Sequence, residues 1–253
     1  MITEKKKTTT PSNIKTSFSK YATKYEKHAH LQNKMGDQLS LLLPNKFSER
    51  VLEIGCGTGV FTKHLLTHPL KRMILNDISV EMINFLKSKL TLPSCSKIVV
   101  GDAENLKFDC VDMITANAVF QWFRSPSKTL RKLRSYISSE GKLIFSTFGP
   151  QTLIELRQIS SIDSPALLTP FKQWENWLNT AKFTIDSSSK TIHKRYYSNT
   201  LELLKNLQQL GTTPIKMTQP GSLRRIIKEY DKKHTSSNGV YATWEIYYFS
   251  AIK

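Results

Sequence analysis

The sequence has few cysteines and no long apolar run. Cys56, Cys95 and Cys110 are scattered and lack C-x-x-C spacing, so the pattern excludes a disulfide framework and indicates neither a zinc site nor a dithiol redox centre. No apolar stretch approaches the roughly 20 residues that cross a bilayer, so we predict no membrane span. The first fifteen residues are basic and contain no apolar block, which argues against a secretory signal. We therefore expect a reducing, cytoplasmic compartment.

Glycine, proline and acidic residues are also scarce. Gly 10 and Pro 10 in 253 residues exclude a collagen-like or linker-dominated chain, and 39% hydrophobic with 23% charged residues is typical of a globular protein. Lysine and arginine number 37 against 20 aspartates and glutamates, which leaves a net charge of +17. Such a charge attracts anionic partners, so nucleic acid, anionic lipid and an acidic protein all stay open at this point.

The hydrophobic pattern predicts helices first and then alternating strands and helices. Apolar and aromatic residues recur at helical spacing from 18 to 43, with a break predicted at Met35-Gly36. A helix that begins at Pro126 is expected to end at Gly141. The predicted strands of the middle third are 51–54, 73–75, 98–100, 111–115 and 143–148. Their alternation with helices indicates an α/β fold, a parallel sheet with helices on both faces.

The last hundred residues are less regular. Helices are predicted around 151–160, 171–181, 200–210 and 221–231, and strands at 191–197 and 241–252. No change of composition separates this part from the sheet, so we predict a single domain over residues 1–253.

The strongest chemical signal is the glycine loop Glu53-Ile54-Gly55-Cys56-Gly57-Thr58-Gly59, where the first strand meets the following helix. Glycines there let a ligand approach the main chain closely. Asp77 closes the second strand 22 residues after Gly55, a spacing that suits an acid bonded to ribose hydroxyls. Asp102-Ala103 follows the third strand and Asn117 the fourth. Because these strand ends meet at one edge of the sheet, they predict a nucleoside site.

The sequence of the loop favours one nucleoside-containing cofactor over another. A dinucleotide fingerprint needs glycine at its sixth position, where this chain has Val60. Glu53 also places a carboxylate at the strand end, which matches a ligand with an ammonium or sulfonium group better than a diphosphate. We therefore favour S-adenosylmethionine over a nicotinamide cofactor. The remaining alternative is a tight turn that binds no ligand. The polar or loop-type residues at four successive strand ends argue against it.

These residues resemble the class I S-adenosylmethionine-dependent methyltransferases over about residues 48–150. The resemblance implies a Rossmann-like seven-stranded sheet whose antiparallel last strand is 241–252, with 191–197 as its neighbour. It implies that Glu53 orients the methionine amino group, Asp77 the ribose, and Asp102 with the Ala103 N–H the adenine. The full cofactor set it implies is Glu53, Gly55, Gly57, Gly59, Asp77, Ile78, Asp102, Ala103 and Asn117.

A closer resemblance is to the malonyl-acyl-carrier-protein O-methyltransferases of biotin synthesis. It rests on four segments, which are Phe18 to Gln32, Asn117 to Trp122, Phe148 to Leu156 and Thr243 to Tyr248. The stretch 212–233 matches the family only loosely. It implies methyl transfer from S-adenosylmethionine to the free carboxylate of a malonyl thioester on acyl carrier protein or coenzyme A, with S-adenosylhomocysteine as product. It also implies an N-terminal helical lid (1–43), a cofactor-binding core (44–150) and substrate-side insertions with the last two strands (151–253).

Such a reaction sets modest demands on catalytic residues. The attacking carboxylate is ionised at neutral pH, so no general base is needed. The catalytic candidates are Tyr25, as a lid over the methionine end of the cofactor, and Gln121, as a positioning group. For Tyr25 the alternative is ordinary packing in the core. Trp122 and Arg157 are the substrate-binding candidates, with Arg124 and Arg195 as competing arginines for the carboxylate. We expect no metal site.

The basic surface predicts the partner. Acyl carrier proteins present an acidic helix, so an acidic carrier protein would dock on one of the basic clusters, whose alternative reading is solubilising surface. These clusters are Lys71-Arg72, Arg131-Lys132-Arg134, Arg224-Arg225-Lys228 and Lys232-Lys233. No nucleic-acid-binding module stands out, so we predict no stable nucleic-acid partner. A methyltransferase acting on RNA or a small acid, and a binding module without turnover, are the competing hypotheses.

Overall fold

The computed structural model describes residues 10–45, 49–160, 164–212 and 220–253. The first half of the chain contains α1 (Pro11–His28), α2 (His30–Ser40), β1 (Arg50–Ile54), α3 (Thr62–Leu65), β2 (Arg72–Asp77), α4 (Val80–Lys89), β3 (Ser96–Val100) and β4 (Val111–Asn117). After a 3₁₀ turn at Phe120–Trp122 come α5 (Pro126–Ser135), β5 (Ile137–Phe148), α6 (Ile154–Ser160), α7 (Phe171–Thr180), β6 (Thr184–Tyr197), α8 (Thr200–Gln209), α9 (Pro220–His234), β7 (Thr235–Ser236) and β8 (Gly239–Ile252).

The strands form one twisted sheet in the order β3-β2-β1-β4-β5-β8-β6. Strands β1 to β5 are parallel, and β8 is antiparallel to both β5 and β6. The seven-stranded sheet with an antiparallel last strand is therefore confirmed, and the two-residue β7 pairs with β8 as an addition. The strand order reverses between β1 and β4, where open α/β sheets bind their ligands.

The core lies on both faces of this sheet. Consecutive residues of β1 alternate between the two hydrophobic clusters: Val51 packs with Leu39 of α2, and Leu52 packs with Leu130 of α5 and its neighbours. Both strand residues are fully buried. Since each large apolar side chain contributes about 1.5–3 kcal/mol when buried, the two layers fix the positions of the strand ends that form the site.

The helix predicted from Pro126 to Gly141 ends earlier, at Ser135, and β5 begins at Ile137. Ile137 pairs with Val111 at the start of β4, so sheet pairing overrides the helical spacing of the apolar residues. Gly141 is not a helix end. A Cβ at Gly141 would lie 2.6 Å from the Asp112 carbonyl oxygen, so the glycine is needed where β5 approaches β4 most closely.

The break predicted at Met35-Gly36 was also wrong. Both residues lie within α2, and the chain changes direction at Ala29 instead. A Cβ at Gly36 would lie 3.4 Å from Asn117 Nδ2 and 3.6 Å from Val60 Cγ1, which are close to ordinary contact distances. At this residue α2 lies against the end of β4, beside the predicted nucleoside site.

The helices and strands predicted for the last hundred residues are present. Strand β6 is longer than predicted and begins at Thr184, because residues 186–190 are polar and lie exposed on the edge strand, where no apolar alternation is required. Residues 1–9 of the predicted lid and 213–219 of the loosely matching stretch lie outside the described residues. The division into lid, core and insertions stays a prediction. None of the helices in the described part is long and apolar enough to cross a membrane.

Candidate functional site

The glycine loop adopts backbone angles that explain its composition. Gly55 has φ of +66° and Gly57 of +53°, the left-handed region that favours glycine. A Cβ at Gly55 would lie 2.4 Å from Val119 Cγ2, so this glycine permits close contact with the loop after β4. A Cβ at Gly57 would meet nothing nearer than 4.0 Å, so its main chain faces open space. That space can admit a ligand close to the backbone.

This open space belongs to a cavity at the ends of β1, β2, β3 and β4, which we call the rim cavity. Most residues of the predicted cofactor set line it, namely Gly55, Gly57, Asp77, Ile78, Asp102, Ala103 and Asn117. Apolar side chains such as Phe18 and Met82 complete its walls. Gly59 differs, because a Cβ there would lie 2.6 Å from Leu90 Cδ1, and it packs against that side chain. A flat apolar wall beside carboxylates suits an adenosine.

Asp77 is held rigidly at the end of β2. Its Oδ2 accepts a hydrogen bond from Gly57 N at 2.8 Å and its Oδ1 one from Ser79 N at 2.8 Å. Burial raises the pKa of Asp77 to about 6, although these N–H groups favour the ionised form. Asp77 therefore ties the glycine loop to β2 and presents a carboxylate to the cavity.

Asp102 has a different environment. Its Oδ1 accepts from Glu104 N at 2.9 Å, and its Oδ2 lies 3.0 Å from Arg124 Nη2. Arg124 also contacts Glu104 through Nε at 3.2 Å. This competing arginine is thus bound to acids at the outer end of the rim cavity.

Glu53 lies in an adjoining inner cavity with Gln32 and Thr58. Burial raises the pKa of Glu53 to about 8, while its Oε2 accepts a hydrogen bond from Thr62 Oγ1 at 2.7 Å. Gln32 Oε1 and Thr58 Oγ1 are buried, and neither bonds to any residue that the structure describes. Buried polar atoms usually have a partner, so these two oxygens are available to accept hydrogen bonds from a ligand. A carboxylate beside two such acceptor oxygens suits an ammonium group.

Asn117 connects the cavities to α2. Its Nδ2 donates to the Gln32 carbonyl at 3.0 Å, and its Oδ1 accepts from Ser146 Oγ at 2.7 Å. Gln32 was quoted in the opening motif without a role. Nothing in the sequence marks its role, since α2 has many polar residues and only the structure shows that Gln32 is buried with Leu31 and Met35.

An outer cavity lies on the other side of Tyr25. Gln121, Trp122 and Arg157 all line it, and apolar side chains such as Phe148 and Trp244 form most of its wall. Tyr25 lines the rim, inner and outer cavities alike. The structure thus brings the predicted catalytic and substrate-binding candidates together, with Tyr25 at the junction.

Hydrogen bonds to main-chain carbonyls fix the orientation of the Arg157 guanidinium. Its Nε donates to the Thr152 carbonyl at 3.2 Å and its Nη2 to the Pro150 carbonyl. The turn that carries these carbonyls is itself held by β8. Glu245 Oε2 accepts from Gln151 N at 2.7 Å, and the Thr152 hydroxyl donates to the Glu245 carbonyl at 3.0 Å. The roles of Thr152 and Glu245 were not foreseen, since these contacts join residues 93 or more positions apart.

Gln121 and Tyr25 differ in how they are held. Gln121 is buried, its Nε2 donates to the Ala118 carbonyl at 2.6 Å, and its Oε1 accepts from Thr147 Oγ1 at 3.2 Å. Tyr25 packs edge-on against Phe18, with ring centroids 6.2 Å apart. Burial, with the Asp77 carboxylate nearby, raises the pKa of Tyr25, so its hydroxyl keeps its proton at neutral pH. Across the described ranges, no three His, Cys, Asp or Glu side chains converge as metal ligands.

Known proteins agree with this geometry. A family profile described as a methyltransferase domain matches residues 27–210. A malonyl-acyl-carrier-protein O-methyltransferase of Halalkalibacterium halodurans is 30% identical, over 93% of this chain and 96% of the relative. Its counterpart in Haemophilus ducreyi is 31% identical, over 90% of this chain and 91% of the relative. The chain belongs to the methyltransferase family. The predicted enzyme class, an S-adenosylmethionine-dependent O-methyltransferase, is confirmed.

A solved structure supports the fold of this methyltransferase independently. The S-adenosylmethionine-dependent methyltransferase of Mesorhizobium loti matches with a TM-score of 0.55 at 15% identity, over 86% of this chain and 96% of the other. The residues present fit the cofactor of this fold, because the inner cavity offers Glu53 and the unpartnered oxygens of Gln32 and Thr58.

Proposed function

We propose that this methyltransferase esterifies the free carboxylate of a malonyl thioester carried by acyl carrier protein. The observation that carries the proposal is the outer cavity, where an aimed guanidinium, Arg157, lies within an otherwise largely apolar wall beside the cofactor cavities. A short diacid thioester has the matching parts, one carboxylate and one uncharged tail. The two relatives described above are named for a substrate of this class.

In this proposal the rim and inner cavities hold the cofactor. Asp77 accepts hydrogen bonds from the ribose hydroxyls, while Asp102 and the Ala103 N–H meet the adenine. Glu53 accepts from the ammonium group, with Gly55, Gly57, Ile78 and Asn117 in contact. When bound, S-adenosylmethionine supplies a methyl group on a positively charged sulfur. Ionised carboxylates on this side stabilise that positive charge.

The acceptor side needs no proton transfer. A malonyl carboxylate is already ionised at neutral pH, so its oxygen could take the methyl group directly from bound S-adenosylmethionine, with the electrons of the broken carbon–sulfur bond remaining on the sulfur. Arg157 orients the attacking carboxylate through paired hydrogen bonds. Alignment of two bound reactants can contribute about 7–11 kcal/mol, so positioning is the main task of this site.

Tyr25, Gln121 and Trp122 complete the alignment. Tyr25 lies where the three cavities meet and covers the path between them. Trp122 packs edge-on against Phe18 with centroids 5.5 Å apart, which closes the same junction on its other side. Together these rings exclude water from the reacting atoms, and the Gln121 amide lines the acceptor side.

Mass spectrometry of a malonyl-loaded carrier protein after incubation with S-adenosylmethionine tests the proposal. We expect the malonyl-loaded carrier protein to gain one methylene mass. Arg157→Lys should reduce the yield, since lysine cannot form two parallel hydrogen bonds. Parallel reactions with free malonate and with RNA serve as controls. Methyl label found only in RNA or free acid would remove the carrier-protein thioester as the substrate.

A further inference from the structure

A groove runs beside the outer cavity, between α2 and the strand pair β6/β8. Its walls include Lys34 and Asp37 from α2, His193 and Arg195 from β6, and Trp244 from β8. Across the strand pair His193 lies opposite Trp244. Side chains alternate along a strand, so Arg195 lies on the same face as His193. Cations from a helix and a strand thus border one groove.

These cations are not neutralised by the protein. Among the described residues, no carboxylate lies within 4.0 Å of Lys34 or Arg195, whereas Arg50 and Arg124 are paired with acids. Asp37, which also lines the groove, has its Oδ1 3.2 Å from His64 Nε2 and 3.8 Å from Lys63 Nζ. The groove therefore presents unpaired positive charge, which suits an anionic partner.

The groove is separated from the outer cavity by one side chain. Trp244 lines both, and its ring lies against Phe148 of the outer cavity with centroids 5.5 Å apart. The groove and the outer cavity that holds Arg157 therefore adjoin at Trp244.

We propose that this groove is the docking surface for the acidic face of the carrier protein. The inference rests on the proposed function, because it names the partner that delivers the malonyl thioester. Lys34 and Arg195 would pair with its carboxylates and with the phosphate of its thioester arm. The other large basic surface, the exposed face of α9 with Arg224 and Lys228, does not line the groove or the outer cavity.

The test compares two double charge reversals of equal size. Lys34→Glu with Arg195→Glu reverses the groove, and Arg224→Glu with Lys228→Glu reverses the exposed face of α9. Binding of a fluorescently labelled, malonyl-loaded carrier protein is measured by anisotropy at low salt. We expect the groove reversal to weaken binding by about thirtyfold or more and the α9 reversal by about threefold or less, since only the former removes direct contacts. Equal weakening by both, or none by the groove reversal, would overturn the proposal.

A second substrate separates this inference from the proposed function. The malonyl thioester of N-acetylcysteamine has no phosphate and no protein surface, so its methylation should be unchanged in the groove reversal. If the wild-type enzyme methylates neither thioester, the proposed function is wrong. The binding measurement with carrier protein still tests whether the groove is the docking surface. Because Arg195 stacks on Tyr197 at 5.2 Å, its substitution could disturb packing. In that case Lys34→Glu alone, at an exposed helix position, replaces the double variant in the binding test. Lys228→Glu is then its control.

Discussion

The two halves of the site are built in different ways. The cofactor half comes from neighbouring strand ends between β1 and β4, and its close contacts are made by main chain and short side chains. The acceptor half is assembled from α1, α6, the 3₁₀ turn and β8, whose residues are far apart in sequence. Local motifs can therefore specify the first half, whereas the second depends on the whole fold.

The halves also differ in charge. Buried carboxylates with raised pKa values, Glu53 and Asp77, face the cofactor cavities. The outer cavity has Arg157 within apolar walls, and the groove beyond it has unpaired cations. The site thus offers one reactant carboxylates that ionise beside a cation and offers the other reactant positive charge, which matches a cationic methyl donor and an anionic acceptor.

Substituting the loop glycines tests the backbone-built half most severely. We expect Gly55→Ala to destabilise the protein by about 2–4 kcal/mol, because its Cβ would lie 2.4 Å from Val119 Cγ2 at a φ of +66°. Gly57→Ala, with open space around its Cβ, should cost only about 1 kcal/mol. Urea unfolding of both variants checks the difference.

Cofactor binding should show a different ranking of these variants. The Gly57 Cβ would project into the space assigned to the ligand, so Gly57→Ala should weaken affinity more than its stability loss implies. If both variants have equal stability, the contact with Val119 does not explain Gly55. If Gly57→Ala binds the cofactor as wild type does, the ligand does not approach this part of the loop.

Glu53→Gln addresses the electrostatics of the same half. The raised pKa of Glu53, about 8, means that the folded protein holds a proton that the unfolded chain releases above its ordinary value of 4.5. Stability from this group is therefore present below pH 4.5 and is lost as the pH rises towards 8. Glu53→Gln should flatten that decline in urea unfolding between pH 5 and pH 8 (about the interval between the two values).

Ligand binding provides the complementary measurement. An ammonium group beside Glu53 favours the carboxylate, so S-adenosylmethionine should release about one proton on binding at pH 7. Calorimetry in buffers of different ionisation enthalpy measures this number. Glu53→Gln should release nearly none and bind about 10–100-fold more weakly, the usual effect of losing one charged hydrogen bond. Equal proton release by both proteins would show that Glu53 does not meet the ammonium.

The same contrast explains how far the sequence could predict the site. Asp77 and Asp102 could be predicted to lie close together because each is at or near the end of a strand, and neighbouring parallel strands end at one edge of the sheet. Thr58 lies inside the quoted loop, yet its unpartnered hydroxyl could not be known without burial. Thr152 and Glu245 were beyond reach, since their effect on Arg157 passes through hydrogen bonds between distant segments.

The errors in the fold have a related cause. Glycine was interpreted as a helix end at Gly141 and as a break at Gly36. At Gly141 the missing side chain permits the close approach of the Asp112 carbonyl, whereas Gly36 lies inside α2, where a Cβ would be close to ordinary contact distance from Asn117. A glycine marks a close approach as readily as a turn, and only the partner across the fold distinguishes them.

Thr152→Val tests whether the acceptor half depends on long-range support. Thr152 Oγ1 donates to the Glu245 carbonyl at 3.0 Å and accepts from Glu245 N at 3.1 Å, and valine removes both bonds with little change in shape. We expect KM for the malonyl thioester to rise about tenfold, the equivalent of one or two lost hydrogen bonds, because the turn that aims Arg157 loosens. The cofactor dissociation constant should stay unchanged.

Thr152→Ser is the matched control, since it keeps the hydroxyl. Its KM should remain near that of the wild-type enzyme. An equal loss in both variants would mean that the methyl group, and not the hydrogen bonds, holds the turn. A loss of cofactor affinity in Thr152→Val would contradict the separation of the two halves.

Tyr25→Phe acts at the boundary between the halves and has the smallest expected effect. Phenylalanine retains the edge-on contact with Phe18, so cofactor affinity should change by less than about twofold. Removing the hydroxyl from the junction should slow methyl transfer about fivefold, because a small misalignment of two bound reactants is costly. Single-turnover kinetics measure this rate, with Tyr21→Phe on the same helix as control. An unchanged rate would leave Tyr25 a packing residue and place the alignment in Arg157 and Gln121.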